Sequence, residues 1–276
     1  MMNPLNPMHQ PDIWNDAVLG YETLAEPHTR PFARIALELA GVRPGERLLD
    51  VACGTGALTL EAAAEGASVL ATDFSPGMVE RLAARLAEGG YDRTGCEARV
   101  MDGQALDLPD GDFDAAFSVF GVMLFPDWEK GLRELHRVVR PGGRVVLVTW
   151  AHARGAGPAV LFDTARREAL PGLEPSPFPP GLEALRTPQR LEAAIRGAGS
   201  AQVRIETIAR DWTIESADWL ADHAHQLFRQ FPSWAALDEE GQDRVRERLR
   251  AANGKASAVP FTVESRALIG IARLPE

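Results

Sequence analysis

The 276-residue chain has two cysteines, two lysines and no apolar run long enough to cross a membrane. Cys53 and Cys96 are too few for a disulfide framework or a four-ligand zinc site, so we expect no metal. A membrane-spanning helix needs about 20 apolar residues. The start of the chain also lacks the charged and then apolar pattern of a secretory signal. We therefore expect a cytoplasmic protein with no membrane partner.

The charge balance argues against binding to nucleic acid. The chain carries 29 Lys+Arg against 39 Asp+Glu, a formal net charge of -10. A nucleic-acid binder needs a basic patch, whereas the arginines here are scattered among acids. Hydrophobic residues make up 45% of the chain, an ordinary globular composition. We expect a single domain over residues 1–276.

Short apolar segments alternate with helical patterns through the first 150 residues. The predicted strands lie at 47–52, 68–72, 97–101, 113–119 and 144–150. Strands that alternate with helices indicate a parallel sheet covered on both faces, and right-handed crossovers make it doubly wound. Two further strands are expected at 203–214 and 261–274. The predicted fold class is α/β, with a Rossmann-like, seven-stranded, mostly parallel sheet.

The chain divides into three parts in this interpretation. Residues 1–40 form an N-terminal arm and a helix that begins at Pro31 and ends at Gly41. Residues 41–150 form a cofactor-binding core. Residues 151–276 form a substrate-side region, which includes a helical cap at about 216–257 and the last two strands. The cap is expected to cover a site at the carboxyl ends of the strands.

A glycine-rich turn joins the first strand to its helix, in Asp50-Val51-Ala52-Cys53-Gly54-Thr55-Gly56. Glycines let the backbone turn tightly, and a helix N-terminus favours an anionic ligand group. By itself the turn also fits a strand-helix connection without a ligand. The dinucleotide-binding fingerprint requires a third small residue three positions after Gly56, where this chain has Thr59.

Two acids at strand ends extend the candidate site. Asp73 ends the second strand and could hold a ribose diol with both carboxylate oxygens, which suits NAD and S-adenosylmethionine equally. It could also be a capping or solvated acid. Asp102 follows the third strand, where it could accept a hydrogen bond from an adenine amino group.

Taken together, these motifs resemble those of a class I S-adenosylmethionine-dependent methyltransferase. The shared elements are Asp50 with Gly54-Thr55-Gly56, Asp73-Phe74-Ser75, Met78, Asp102-Gly103, Leu108-Pro109 with Phe113-Asp114, and Arg140-Pro141-Gly142-Gly143. The chain is most similar to the branch with ubiquinone/menaquinone C-methyltransferases and natural-product methyltransferases. The resemblance covers about residues 30–150. Ala52 departs from it, because many relatives have glycine there, but alanine is small enough for the loop.

The resemblance implies transfer of a methyl group from S-adenosylmethionine to a small molecule by in-line displacement. It also implies a role in secondary metabolism. The glycine loop would hold the methionine part, Asp73 the ribose, and Asp102 the adenine amine. Tyr21 could close over the cofactor. The implied cofactor-binding residues are Tyr21, Ala52, Cys53, Gly54, Thr55, Gly56, Asp73, Phe74, Met78, Asp102, Gly103, Gln104, Ser118 and Phe120.

A methyl acceptor that must lose a proton needs a base, and histidine is the usual candidate near neutral pH. Of the six histidines, His223 borders the apolar stripe of the cap helix, and His152 follows the fifth strand. We expect His223, or else His152, to face the acceptor. Both positions also fit ordinary packing or surface residues.

Aromatic residues are concentrated after the core, which indicates either cap packing or a flat apolar pocket for an aromatic or polyketide-like acceptor. These residues are Trp150, Trp212, Trp219, Phe228, Phe231 and Trp234. Three alternatives stay open: an NAD(P)-dependent oxidoreductase, a tRNA or protein methyltransferase, and a member without catalytic activity. The sequence predicts no oligomeric state.

Overall fold

The computed structural model describes residues 6–174, 178–251 and 258–276. Its centre is a seven-stranded sheet in the order β3-β2-β1-β4-β5-β7-β6. The strands are β1 Arg47–Val51, β2 Ser68–Asp73, β3 Glu97–Val100, β4 Phe113–Val119, β5 Val139–Trp150, β6 Gln202–Ile214 and β7 Phe261–Arg273. Strands β1 to β5 pair in parallel, whereas β7 is antiparallel to both β5 and β6. The predicted mostly parallel α/β sheet is confirmed.

The helices cover both faces of this sheet and extend beyond its last strands. They are α1 Pro11–Asn15, α2 Val18–Gly20, α3 Glu26–Ala40, α4 Thr59–Ala64, α5 Pro76–Glu88, α6 Trp128–Arg137, α7 Gly157–Ala169, α8 Pro180–Ala184, α9 Pro188–Gly197, α10 Ala217–Asp222, α11 Ala224–Phe228, α12 Pro232–Ala235 and α13 Glu239–Ala251. Within the described ranges, no helix has the length and apolar character needed to cross a bilayer.

The order of the strands places a crevice between β1 and β4. The chain runs outward from β1 through β2 to β3 and then returns to β4 on the other side of β1. Ligands of open α/β sheets bind at such a reversal, outside the carboxyl ends of the strands. The centre of the sheet is apolar because it is covered on both faces, as the fully buried Leu48, Leu49 and Phe117 show.

Two boundaries differ clearly from the sequence-based expectation. Helix α3 begins at Glu26 instead of Pro31, since it continues from a π-helical segment at Tyr21–Ala25 and includes the proline. Strand β5 begins at Val139 instead of Arg144, and its register against β4 shifts between Phe113 and Ala115. Residues 140–143 have no partner in β4 or β7, and Gly142 has a φ of 69°, so the predicted turn motif forms a bulge within β5.

The substrate-side region is more helical than predicted. Helix α7 was not expected, although Pro158 in its first turn is a typical start signal. The two predicted cap helices are four shorter ones, α10 to α13. Helices α7 and α10 to α13 enclose a second hydrophobic cluster, in which Phe162 stacks on Phe228 with ring centroids 4.7 Å apart. Residues 1–5 of the predicted arm, 175–177 of the predicted loop and 252–257 of the predicted cap lie outside the described residues.

Candidate active site

A cavity of about 510 Å³ opens at the carboxyl edge of the sheet. Its volume falls in the range of small-molecule sites. The loops after β1 to β4 line one part of it, and the N-terminal arm and the cap line the rest. Its lining combines residues of the strand-end loops with aromatic residues of the last strands and the cap. These lining residues include Tyr21, Ala52, Gly54, Asp73, Phe74, Met78, Asp102, Gly103, Gln104, Phe120, Trp150, Trp212, Phe228 and Phe231, with His9 and Gln230. One cavity therefore joins the predicted cofactor residues to the predicted aromatic residues.

The glycine loop turns through three left-handed positions. Ala52, Gly54 and Gly56 have φ values of 58°, 52° and 103°. For alanine this conformation costs about 1–2 kcal/mol, which accounts for a preference for glycine at position 52. A Cβ on Gly121 would overlap the Cβ of Ala52 and lie 2.7 Å from Ser118 Oγ. The loops after β1 and β4 are therefore packed as closely as their backbones permit.

Asp73, the last residue of β2, binds the glycine loop with one carboxylate oxygen and the N-cap residue of α5 with the other. Its Oδ2 accepts a hydrogen bond from the Gly54 N–H at 2.9 Å, and its Oδ1 accepts one from the Ser75 N–H at 2.9 Å. Burial raises the pKa of Asp73 to about 6, against the effect of these bonds. Each oxygen keeps a further lone pair, so the carboxylate can also accept from a diol in the cavity.

Asp50 lies behind the loop and does not line the cavity. Its Oδ2 accepts a hydrogen bond from the Thr59 hydroxyl at 2.6 Å, and the Thr59 backbone N–H also bonds to this carboxylate. Burial raises the pKa of Asp50 to about 7, and the negative charge of Asp73 adds to the shift. Asp50 therefore fixes the first turn of α4 against the end of β1.

The loop after β3 supplies a polar edge to the cavity. Asp102 is exposed, and its Oδ1 accepts from the backbone N–H and the Nε2 of Gln104 at 2.9 and 3.0 Å. Gln104 Oε1 accepts from the Asp127 N–H at 2.9 Å. A Cβ on Gly103 would lie 2.6 Å from the Phe125 ring, so a larger residue would displace this loop.

The N-terminal arm is fastened over the glycine loop. The Tyr21 ring lies 3.3 Å from the position of a Cβ on Gly54, and Trp14 meets Tyr21 edge to face. Asn15 Oδ1 accepts hydrogen bonds from the Ser75 hydroxyl at 2.7 Å and the Gly77 N–H at 2.8 Å. Burial raises the pKa of Tyr21, so the phenol stays protonated. The arm thus forms part of the site's wall.

A buried ion pair also joins the arm to the glycine loop. Arg85 donates to both carboxylate oxygens of Glu26 at 2.6 and 3.0 Å and to the Thr55 carbonyl at 2.7 Å. The Thr55 hydroxyl donates to Glu26 as well. Glu26 and Arg85 were missed by the sequence analysis, because their 59-residue separation in the chain gives no local pattern.

Four predicted cofactor residues do not line the cavity. Cys53 and Thr55 are buried beside the loop, and Gly56 packs against Leu82. The Ser118 hydroxyl accepts from the Val122 N–H at 3.1 Å. Burial raises the pKa of the Cys53 thiol well above its ordinary value, which opposes a role as nucleophile. These residues shape the loop backbone instead of presenting side chains to a ligand.

The structure does not bring the two candidate histidines to the cavity. His223 stacks on Trp219 with centroids 4.4 Å apart, and its Nδ1 bonds to the Trp219 carbonyl at 2.8 Å. His152 is exposed, and its Nδ1 accepts from the Arg154 N–H at 3.1 Å. Neither is among the lining residues, which corrects the expectation that one of them faces the acceptor. Sequence periodicity placed His223 beside the apolar stripe but could not show that the stripe packs inward.

Some of the aromatic residues that were expected to form an acceptor pocket line the cavity, and others do not. Trp150, Trp212, Phe228 and Phe231 line the cavity, whereas Trp219 and Trp234 lie outside it. Phe120 has a φ of 60°, a rare conformation for a bulky residue. With this backbone conformation the Phe120 ring stacks on the Trp150 ring, with centroids 3.7 Å apart and planes inclined by 13°. The result is a largely buried, stacked pair of rings at the edge of the cavity directly after β4.

His9 is a cavity residue that the sequence analysis passed over. It belongs to the short 3-10 helix Pro7–His9, which packs against α12. Only its position in the folded arm distinguishes it from the other histidines. Among the residues that the structure describes, no cluster of acids, histidines or cysteines could hold a metal ion.

The comparisons with known proteins agree with this geometry. Residues 49–147 match the family described as Methyltransferase domain. An uncharacterized protein of Mycobacterium tuberculosis is 41% identical over 134 residues, which are 49% of this chain and 48% of that protein. The matched part thus spans about half the length of that relative.

Two further proteins connect the chain to enzymes of known name. A demethylmenaquinone methyltransferase of Thermus thermophilus is 37% identical over 179 residues, 60% of this chain and 79% of that enzyme. Phosphoethanolamine N-methyltransferase 2 of Haemonchus contortus, solved with S-adenosylhomocysteine, matches with a TM-score of 0.53 at 16% identity over 89% of this chain and 53% of that one. That likeness shows the shared fold. The chain belongs to the class I S-adenosylmethionine-dependent methyltransferase family, in the branch that includes demethylmenaquinone methyltransferase.

Proposed function

We propose that this protein transfers a methyl group from S-adenosylmethionine to a flat, apolar small molecule and releases S-adenosylhomocysteine. One observation carries the proposal. A single cavity is lined both by the glycine loop with Asp73 and Asp102 and by the aromatic side chains of β5, β6 and the cap. A methyl donor and an acceptor can therefore meet in it.

The residues at the carboxyl edge fit the cofactor. Asp73 accepts from the ribose hydroxyls through its remaining lone pairs, and Asp102 accepts from the adenine amine. Phe74 and Met78 pack against the adenine ring, with Gly103 and Gln104 beside it. The backbone of the loop Ala52–Gly56 and the Tyr21 ring enclose the methionine part, with Phe120 next to it. S-adenosylmethionine supplies an electrophilic methyl group on a sulfonium, whose leaving group departs neutral.

The chain's contribution to the transfer is alignment. An in-line attack requires the reacting atoms to be held about 3–3.5 Å apart. Phe120 and Trp150 line the cavity together with Trp212, Phe228 and Phe231, and this aromatic lining suits a planar, apolar acceptor. Because the methyl group is electrophilic, the acceptor must be electron-rich. A dihydroxylated aromatic ring meets both requirements, and the demethylmenaquinone methyltransferase relative supports this class.

The site has few features that would bind a macromolecular substrate. Among the described cavity-lining residues, Arg154 is the one arginine, and its guanidinium lies over the Phe178 ring at 4.7 Å. A net charge of -10 also repels RNA. We therefore retain a small-molecule acceptor, a place in secondary metabolism and a cytoplasmic location as parts of the proposal.

Methyl transfer to 1,4-naphthalenediol tests the proposal. Purified protein is incubated with S-adenosylmethionine and the diol under reducing conditions, and mass spectrometry follows the methylated product and S-adenosylhomocysteine. We expect the two products in equal amounts. Binding of S-adenosylmethionine without transfer to this diol or to a panel of phenols and enols would contradict the acceptor class. Failure to bind S-adenosylmethionine would contradict the proposed reaction.

A further inference from the structure

Arg154 places a positive charge on the wall of the cavity. It follows β5, and its side chain is 29% exposed. Among the described residues, the acids that line the cavity are Asp73 and Asp102. The proposed function uses both of them, for the ribose and for the adenine amine of the cofactor. Arg154 is therefore a charged cavity residue that binding of the cofactor leaves without a role.

Arg154 lies on the acceptor side of the cavity. Its guanidinium is 4.7 Å from the centroid of the Phe178 ring, and that ring contacts Phe231 with centroids 5.9 Å apart. The next residue, Gly155, lies against the Trp150 indole. The loops that fit the ribose, adenine and methionine parts follow β1 to β3, whereas β5 lies on the far side of β4 from those strands. This position favours a group of the acceptor as the ligand of Arg154.

The guanidinium of Arg154 keeps hydrogen-bond donors open. Its Nε lies 3.5 Å from Asp163 Oδ2, which is long for a hydrogen bond. Within the described ranges, the hydrogen bond of this residue is the one from its backbone N–H to His152 Nδ1, so the two terminal nitrogens have no partner. Neither nitrogen belongs to the unpartnered atoms that are closed to solvent. An open guanidinium can bind a carboxylate through two parallel hydrogen bonds.

Asp163 does not neutralise the positive charge at this end of the cavity. Its carboxylate, 5% exposed, lies 3.5, 3.7 and 3.2 Å from the guanidiniums of Arg154, Arg166 and Arg167. One negative charge thus serves three positive ones. The excess also acts on His152, whose pKa burial lowers and the charge of Arg154 lowers further. Since a desolvated charge is costly without a counter-charge, an anionic ligand group would stabilise this cluster.

We propose that Arg154 binds a carboxylate of the methyl acceptor and so selects a planar aromatic acid as the substrate. This inference rests on the proposed function and adds an anionic end to the flat, apolar body of the acceptor. A carboxylic acid with an ordinary pKa of about 4 is ionised at pH 7.5. Two hydrogen bonds to one carboxylate also fix the direction of the ring in its plane, which helps to align one ring position with the methyl group.

Two ligands that differ only in the carboxylate test the inference by binding alone. They are 1,4-dihydroxy-2-naphthoic acid and 1,4-naphthalenediol, titrated calorimetrically into the full chain at pH 7.5 under reducing conditions with saturating S-adenosylhomocysteine. Charge-assisted hydrogen bonds contribute about 10- to 100-fold in affinity, so the wild type should bind the acid at least about tenfold more tightly than the diol. Arg154→Gln should lose this preference. Arg154→Lys should keep part of it, because lysine retains the charge but not the planar fork.

The matched control is Arg167→Gln. Arg167 is paired with the same Asp163, but its side chain is 63% exposed and it does not line the cavity. This variant should prefer the acid as the wild type does. Affinities for the diol and for S-adenosylhomocysteine should stay close to the wild-type values in all three variants, because a merely structural role of Arg154 would weaken the acid and the diol alike.

Three results would overturn the inference. They are equal affinity of the wild type for the acid and the diol, an unchanged preference in Arg154→Gln, and weaker binding of S-adenosylhomocysteine by Arg154→Gln with the preference for the acid intact. The last result would place the methionine carboxylate of the cofactor at Arg154. Methyl transfer is measured separately by mass spectrometry. Binding of the acid that depends on Arg154, without methylation of either ligand, would support the anion site and contradict the proposed function.

Discussion

The Thr59 hydroxyl donates a hydrogen bond to Asp50 Oδ2 at 2.6 Å, across the buried junction of β1 and α4. This is the position where a dinucleotide-binding fingerprint would have a small residue. The pair explains why the fingerprint fails here, since threonine is needed to satisfy a carboxylate that has no access to water. It also makes the base of the glycine loop sensitive to protonation.

The first prediction concerns pH. Asp50 has its pKa raised from an ordinary 3.8 to about 7, so the folded protein binds this proton more tightly than the unfolded chain does. The free energy of unfolding should therefore fall as pH rises from about 4 to about 7, and the loss is complete above that window. Thermal unfolding of the cofactor-free protein between pH 5 and 8 should show the wild type losing stability relative to Asp50→Asn. Parallel pH dependences of stability for the wild type and Asp50→Asn would refute the raised pKa of Asp50. Asp92→Asn, a control at an exposed position, should follow the wild type.

The second prediction concerns the contact between the loops after β1 and β4. Gly121→Ala should destabilise the protein by about 1–3 kcal/mol, because the new methyl group overlaps the Ala52 Cβ. Ala52→Gly removes that methyl group and the cost of the left-handed alanine, so the double variant should recover part of the loss. Chemical denaturation measures all four proteins. Additive effects would show that the two residues do not interact.

The third prediction concerns the buried ion pair of the arm. The side chains of Glu26 and Arg85 are 3% and 15% exposed. Glu26→Ala should cost about 3 kcal/mol, since it removes the carboxylate that both Arg85 and the Thr55 hydroxyl bind, and leaves Glu22, 3.8 Å away, as the remaining acid beside the guanidinium. Glu26→Leu combined with Arg85→Met should restore part of the stability, because it removes both charges but leaves the buried Thr55 hydroxyl and carbonyl without these partners. A double variant as unstable as the sum of the single variants would contradict this account.

The fourth prediction separates the acceptor wall from the cofactor site. Phe231→Ala should weaken binding of 1,4-naphthalenediol by about tenfold, through loss of an aromatic contact. Binding of S-adenosylmethionine should be unchanged. Phe261→Ala is the matched control, because that ring packs on the second hydrophobic cluster and does not line the cavity. Equal losses in both variants would indicate general destabilisation of the cap.

Much of the core could be predicted because its signals are local. The runs at Arg47–Val51 and Ser68–Asp73 are apolar, the glycines mark the turn, and Ser75-Pro76 marks the start of α5. Regular pairing of β5 begins at Arg144, as predicted, and the turn signals Pro141 and Gly142 lie in a bulge that joins this stretch to Val139.

The parts that could not be predicted depend on contacts between distant residues. Arg85 and Glu26 meet only after the arm folds over α5. His223 and His9 looked alike as isolated histidines. Packing turned the first toward Trp219 and the second to the cavity. The cap helices follow the periodicity of their apolar residues, but periodicity does not indicate which polar neighbours face a ligand.

Calorimetric titration with S-adenosylmethionine and NADH tests directly which cofactor the cavity binds. We expect the wild type to bind S-adenosylmethionine and not NADH. We also expect Asp73→Asn to bind the adenosyl ligand about 10- to 100-fold more weakly, because charge-assisted hydrogen bonds to the ribose are lost. Asp92→Asn should bind like the wild type. Binding of NADH instead, or equal affinity of Asp73→Asn and the wild type for S-adenosylmethionine, would contradict the placement of the cofactor at this cavity.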